Sequence, residues 1–299
     1  MADAQVVIAL DVGGTSLKSG LVGPDGQLVG QPRHTPIDNE GSAEAILVAF
    51  RGVLTHHLQE VGHHRLIGVA LGFPGPSDYE RGVSLARHKY ASLYGFNVRQ
   101  TLQAFLPDPA LPVLFRNDAE AAIVGEALYG VGRGYRRLIG VTLGTGLGSA
   151  FIVDGVAQGA GPNVPPDGEL YVIPYGGVPA DDIFSIRGLT ARLQAVQPTL
   201  ADIKTAAEQA RSGNLALRSA FAQFGADLGN FLRPFVGHFA AEAVILFGGL
   251  ANASDLFAEE IQRTAGIPVR MGQLGASAAL LGAAALFFNA PARLTPGQR

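Results

Sequence analysis

The 299-residue chain contains no cysteine, which excludes disulfides, thiolate metal sites and cysteine nucleophiles. Charge is sparse, at 16% of residues with a formal net charge of −3, so nothing in the balance points to a nucleic-acid partner. Long apolar runs are missing too. The greasiest segment, LGASAALLGAAALFF at 274–288, is shorter than the about 20 residues that cross a bilayer. Its alanine and glycine predict a buried helix packed closely on its neighbours. The opening MADAQVVIAL carries an early acid and no basic n-region, so no secretory signal is expected. The default reading is a cytoplasmic protein with no membrane partner. Lysine is confined to Lys18, Lys89 and Lys204; none follows glycine, which removes the P-loop GxxxxGK[ST].

What is present is a core-forming composition, 47% hydrophobic, in a chain long enough for two domains or one large one. VVIALDV (6–12) is a continuous β-branched run and predicts a buried strand. SLKSGLV (16–22), a GPDG turn and LVGQPRHTP (28–36) follow as further strand signals. Residues 42–62 carry helical spacing with Ser42 as N-cap. Strands are predicted at 66–76, 111–118, 136–155 and the start of 241–257, helices at 119–130, over most of 183–240 and after Gly248–Gly249. The mixture is α/β.

A weak internal repeat organises it. DVGGTSLKSGLVGPDG (11–26) and TLGTGLGSAFIVDG (142–155) share a layout: a buried strand, a glycine-rich hairpin, a second strand, and a turn ending Asp-Gly. Two copies, one opening each half of the chain, suggest a duplicated fold with a ligand cleft between the halves. The glycines allow close backbone approach and leave N–H groups for an anion. The Rossmann loop needs a helix directly after the strand, but here more strand follows. Asp11 stands at the mouth of the first loop. Such a carboxylate either caps its own turn or holds a hydrated Mg²⁺ beside phosphate oxygens. Asn117 and Asp118, in FRND (115–118), sit where a strand hands over to a helix. Alone, Asn117 with Glu120 three residues later reads as a capping box.

ALDVGGTSLKSGLV, FRNDAEAAIVGE, GVTLGTGLGSAFIVDG and VILFGGLANASDLF, in this order, resemble the ROK family of sugar kinases and sugar-responsive repressors. The resemblance runs from about Val6 to about Phe288. It implies the actin-like ATPase and sugar-kinase fold, a duplicated ribonuclease H-like α/β architecture of two lobes with an interdomain cleft. The expected lobes are 1–117 with 280–299, and 118–279. It implies ATP and Mg²⁺ as cofactors, with Gly13, Gly14 and Thr15 in one phosphate loop. Gly144, Thr145 and Gly146 would form the other, Gly248 and Gly249 would contact adenosine, and Asp11 would hold the metal through water. Asp118 would be the catalytic base, and Gly75, Asn117, Asp118, Glu169 and Asp181 would bind the sugar. The implied reaction is phosphorylation of a hexose, foremost glucose at O6, by a homodimer. The alternatives are a sugar-binding protein without turnover, a polyphosphate-dependent glucokinase and, more distantly, a sugar-independent ATPase. The chain starts at the first strand, without the helix-turn-helix segment of the family's repressors, which favours a kinase.

Two departures stand out. Val172 occupies the position of a family histidine, and the cysteine cluster that holds zinc in many members is missing, so structural zinc is not expected. The pairs His56/His57 and His63/His64 are read as solvated side chains with no acid at ligand spacing.

Overall fold

The apolar run near the N-terminus forms the central strand of a five-stranded sheet in the computed structural model, which describes residues 4–87 and 89–288. In chain order the first elements are β1 (Gln5–Val12), β2 (Ser16–Val22), β3 (Leu28–Pro36), α1 (Ala43–Glu60), β4 (Arg65–Phe73), a ribbon of β5 (Ser77–Asp78) and β6 (Val83–Ser84), α2 (Val98–Ala104), β7 (Val113–Asn117) and α3 (Asp118–Tyr129). The sheet order is β3-β2-β1-β4-β7. The β1–β2 and β2–β3 pairs are antiparallel, and β1–β4 and β4–β7 are parallel. β1 and β4 read as unbroken apolar runs because central parallel strands are covered on both faces. β3, at the edge, is mostly exposed or half-buried.

The second sheet repeats this plan. β8 (Arg137–Leu143), β9 (Leu147–Val153) and β10 (Val156–Gln158) precede a ribbon of β11 (Pro174–Tyr175) and β12 (Val178–Pro179). Helices α4 (Ala180–Phe184), α5 (Ile186–Val196), α6 (Ile203–Arg211) and α7 (Leu215–Phe239) follow, then β13 (Ala243–Phe247), α8 (Ala258–Ala265) and β14 (Val269–Met271). The order β10-β9-β8-β13-β14 again joins two antiparallel to two parallel pairings. The Gly248–Gly249 step leads into a 3₁₀ stretch, Gly249–Leu256, before α8. The last element is α9 (Ala278–Phe288).

The chain divides into one compact unit that runs to Tyr129 and resumes at Leu274, and another of Gly130–Gln273. The sequence-based boundaries fall instead at 117/118 and 279/280. α3 goes with the first unit because it packs on α9 without side chains between the backbones. A Cβ added at Gly282 would lie 1.7 Å from Ala121 O, and one at Gly125 would lie 2.0 Å from Ala278 O. Glu126, buried, accepts from Leu274 N–H at 2.7 Å and so fixes the chain's return. The second unit has a matching device. A Cβ at Gly229 in α7 would lie 1.9 Å from Thr264 Oγ1, and one at Gly225 2.3 Å from Phe257 O.

The cores differ in kind. The first unit buries Ile8, Leu10, Phe50, Leu54, Phe73, Tyr90 and Phe115. The second is built on phenylalanine, with Phe151 edge-on to Phe239 at 5.0 Å and Phe224 to Phe257 at 5.4 Å. Such pairs add about 0.5–1.5 kcal/mol beyond the area they bury. Ser42 caps α1, accepting from Ala45 N–H at 3.2 Å, as its sequence position predicts. Among the described residues, no helix is long and apolar enough to cross a membrane.

Candidate active site

In the first unit the expected residues gather at the carboxyl ends of adjacent strands, the edge where open α/β sheets bind ligands. Register sets Asp11 beside Gly72, Gly72 beside Arg116, and Phe73 beside Asn117. Gly72 lets α3 approach: a Cβ there would lie 3.1 Å from Ala121 Cβ, with Asp118 Cα next at 3.6 Å. Gly75 is crowded by Tyr79 Oη at 2.9 Å and Asn117 Nδ2 at 3.3 Å from an added Cβ. Asn117 Nδ2 donates to Tyr79 Oη at 3.0 Å, so Gly75, Tyr79 and Asn117 form one cluster.

Asn117 is also the cap that its sequence suggests. Its Oδ1 accepts from Ala119 N–H at 2.9 Å and Glu120 N–H at 3.1 Å. The reciprocal half of the capping box is absent, because Glu120 faces Arg116, Oε1 to Nε 3.5 Å. Asp118 Oδ1 accepts from Ala119 N–H at 2.9 Å. Burial pushes the Asp118 carboxyl above the usual carboxylate range. The Lys89 ammonium and the backbone N–H of Ala119 pull it back down, and the Asp11 charge pushes it up.

The β1–β2 hairpin holds Gly13, Gly14 and the exposed Thr15. Gly13 N–H closes the turn on Ser16 O at 3.0 Å. Both glycine carbonyls are taken from behind: the Tyr90 hydroxyl donates to Gly13 O at 2.5 Å, and Asn39 Nδ2 donates to Gly14 O. Ile37 N–H donates to Thr15 O at 3.1 Å. Among the described residues, the N–H groups of Gly14 and Thr15 donate no turn hydrogen bond. Asp11 is buried and its Oδ2 accepts from Lys18 Nζ at 2.8 Å, across the β1–β2 pair. The carboxylate is therefore neutralised by a lysine in the fold itself.

In the second unit the β8–β9 hairpin carries Gly144, Gly146 and an exposed Thr145. Gly144 N–H closes on Gly146 O at 3.1 Å, and Gly144 O accepts from Ile186 N–H at 2.8 Å, at the start of α5. Gly248, at φ 103°, lies against the same strand end, where a Cβ would be 2.5 Å from Leu143 O. Gly248–Gly249 and Gly144–Gly146 therefore sit together. Asp181 belongs to this group: its Oδ1 accepts from Leu147 N–H at 2.6 Å and its Oδ2 pairs with Arg187 at 3.1 Å. Glu169 is held by its backbone neighbours. Ser149 Oγ, buried in β9, donates to Gly168 O at 2.7 Å and accepts from Leu170 N–H at 2.9 Å. Burial raises the Glu169 carboxyl, Asp167 adds to the rise, and a hydrogen bond from Tyr171 opposes it. Val172 is 55% exposed.

The sequence reading missed Tyr90, Asn39, Tyr79, Lys18 and Lys89 as supports of these sites. The one available signal was the scarcity of lysine, since two of the three lysines serve Asp11 and Asp118. The histidine reading needs correction. His57 is buried, not solvated, and Glu60 lies 2.8 Å from its Nδ1 and 3.2 Å from His56 Nε2, so an acid does stand at ligand spacing. His57 also continues the buried stripe Ile46, Phe50, Val53, Leu54 of α1, a spacing that could have revealed it. His63 and His64 stack on each other at 4.3 Å.

Residues 7–290 match the model of the ROK family. The glucokinase of Halalkalibacterium halodurans is 29% identical over 179 residues, 58% of this chain and 52% of that protein. The chain thus matches about half the length of this curated relative. The crystal structure of a ROK family glucokinase from Streptomyces griseus in complex with glucose and AMPPNP superposes with TM-score 0.71 at 25% identity, over 94% of this chain and 98% of that one. The inorganic polyphosphate/ATP-glucomannokinase of Arthrobacter sp. strain KM superposes with TM-score 0.68 at 26% identity, over 94% and 97%. The fold is the actin-like ATPase and sugar-kinase fold, with one five-stranded sheet in each unit.

Proposed function

The chain belongs to the ROK family, and from that membership and its repeated glycine hairpins we propose that it is a sugar kinase. It transfers the γ-phosphoryl group of ATP to a hydroxyl of a hexose, with O6 of glucose as the leading acceptor. The observation that carries the reading is the pair of glycine hairpins, one in each unit, in which the first glycine N–H closes the turn, Gly13 on Ser16 O and Gly144 on Gly146 O, and the next two N–H groups donate no turn hydrogen bond among the described residues. Those groups, Gly14 and Thr15 in one unit and Thr145 and Gly146 in the other, suit phosphate oxygens. Gly248 and Gly249 suit the nucleoside. In the first unit Gly75 and Asn117, one cluster, suit the hydroxyls of a sugar; in the second unit Glu169 is a carboxylate that suits a hydroxyl, while Asp181 braces its own hairpin.

Asp118 performs the proton transfer. As the sugar oxygen bonds to the γ-phosphorus and the bond to the β–γ bridging oxygen breaks, the hydroxyl proton passes to the Asp118 carboxylate and ADP leaves. Phosphoryl transfer through a loose transition state asks for little early deprotonation, so the carboxylate orients the hydroxyl and takes the proton late. Burial makes Asp118 a stronger base than a free aspartate, and the Lys89 ammonium opposes part of that rise. The residues also fit a hydrated Mg²⁺. One carboxylate with phosphate oxygens is the usual donor set of this ion; Asp11 Oδ2 faces Lys18, and among the described residues Oδ1 accepts no hydrogen bond. The ion would offset the negative charge of the phosphates.

Coupled ADP release over a panel of hexoses tests the reading. Release should require sugar and should vanish in Asp118→Ala, while that variant still melts higher with sugar than without it. Sugar-independent release, or near-normal kinetics in Asp118→Ala, would overturn the kinase reading. No release with any hexose, against a retained sugar-dependent rise in melting, would make the protein a sugar binder without turnover. The similarity to the Arthrobacter enzyme supports a second reading of the donor, so polyphosphate belongs in the same assay. A cytoplasmic homodimer completes the proposal, and sedimentation of the purified chain checks the dimer.

A further inference from the structure

Helix α1 carries a cluster that the proposed reaction does not use. His56 and His57 are adjacent, and Glu60 follows four and three residues later, one turn along the same side of the helix. The Glu60 carboxylate spans both rings: Oε1 lies 3.2 Å from His56 Nε2 and Oε2 2.8 Å from His57 Nδ1. One ligand atom from each residue can be chosen so that all lie within 4.8 Å of one another. The other nitrogen of His57, Nε2, lies 2.8 Å from Ser19 Oγ, which is buried on β2. His56 and Glu60 are 34% and 46% exposed, so the cluster opens to solvent on one side and is anchored in the core on the other.

From this arrangement we infer that His56, His57 and Glu60 form a binding site for a divalent transition metal of the Zn²⁺ class, separate from the proposed kinase residues and independent of that reading. Two imidazoles and a carboxylate are a ligand set of this class of ion. At Zn–N distances of about 2.0–2.1 Å, tetrahedral ligand atoms stand roughly 3.3 Å apart. The present separations need only small side-chain shifts to reach that. Ligating histidines keep their other nitrogen on an orienting partner. Ser19 supplies one that can reverse, because a hydroxyl both donates and accepts. It can accept from Nε2–H and so leave the Nδ1 lone pair of His57 to the ion. Water fills the fourth position from the open side.

One group opposes the ion. Arg33 Nη1 lies 3.2 Å from His56 Nδ1 and 3.3 Å from Nε2. Arg33 is exposed on the edge strand β3, so it can swing into solvent, but it competes until it does. A bound ion would fasten α1 to β2, the strand that leaves the Gly13–Thr15 hairpin.

The test is titration of the untagged full chain, freed of metal by chelator, with Zn²⁺ by calorimetry and with Co²⁺ by visible absorption. One ion should bind per chain and raise the melting temperature. Affinity should fall at least tenfold in His56→Ala and in Glu60→Gln, which alter a half-buried and an exposed side chain outside the buried core. It should rise several-fold in Arg33→Ala and stay unchanged in His63→Ala. Absence of saturable binding would overturn the inference. So would binding that survives both His56→Ala and Glu60→Gln, since the ion would then sit elsewhere.

Discussion

Each glycine hairpin closes on its first glycine, from Gly13 to Ser16 in one and over a loop one residue shorter, from Gly144 to Gly146, in the other, and the two are braced by different groups. In the β1–β2 hairpin the braces are neutral donors, the Tyr90 hydroxyl and the Asn39 amide, and they take the glycine carbonyls. In the β8–β9 hairpin the main brace is a carboxylate, Asp181, and it takes a backbone N–H, that of Leu147. Bonding the carbonyls fixes the peptide planes and spends no donors, so the first hairpin can present its N–H groups beside an acid already paired with Lys18. The second spends a donor and places a negative charge next to its loop, offset by Arg187. The two units thus keep one sheet order while the supports of their hairpins diverge, and on the proposed reading the acid–base chemistry lies in the first unit.

That assignment breaks most visibly at Asp118. Asp118→Asn should lower kcat by about 10²–10⁴, the usual worth of a general base. The same change should raise stability at neutral pH. The carboxyl's value in the fold is raised by burial, so the native state binds its proton more readily than the unfolded chain does. Its charge therefore costs stability above the raised value, and that cost is relieved as the pH falls through it toward the unfolded value. Melting curves of the wild type and Asp118→Asn should show the variant ahead at neutral pH and the gap closing on acidification. The matching change in the other unit, Asp181→Asn, should instead act on its hairpin and raise the KM for the phosphoryl donor more than it lowers kcat.

The helix pairs allow a second comparison. Gly282→Ala in α9 and Gly229→Ala in α7 each drive a methyl into backbone or a hydroxyl across a tight crossing. Each should destabilise by about 1–3 kcal/mol or more, the range for overpacking. Gly237→Ala lies in α7 where an added Cβ meets nothing within 4 Å, and it should stabilise by up to about 1 kcal/mol through helix propensity. Denaturant unfolding of the three variants separates the cases. Equal effects at Gly229 and Gly237 would mean that the crossing is not as tight as drawn.

These contrasts also show what the sequence could disclose. The hairpins were legible because glycine, acid and strand alternation are local signals, and so were β1, α1 with its Ser42 cap, and the Ala/Gly packing of α9. The supports were not. Tyr90 reaches Gly13 across 77 positions and Asp181 reaches Leu147 across 34, and no local period links such partners. The structure divides after Tyr129 where the sequence reading drew the boundary after Asn117, for a similar reason: α3 is assigned by its crossing with α9, which joins the two ends of one unit. His57 was legible in principle. It lies on the apolar stripe of α1, but its neighbour His56 looks outward, and the doublet masked the difference.

The smallest effect expected is also the most selective. Tyr90→Phe removes one hydroxyl behind the first hairpin and should cost about 0.5–1.5 kcal/mol, the net worth of one hydrogen bond. Lys89→Gln should barely move stability, yet it should move the pH profile. The ammonium holds Asp118 down against burial, so its loss should shift the acid limb of kcat/KM to higher pH while the plateau changes little. Lys204, in the second unit, provides the control: Lys204→Gln should leave the limb in place. If both lysine variants shift it equally, the effect is one of overall charge. Lys89 would then have no particular hold on the base, and the contrast between the two units would lose its electrostatic half.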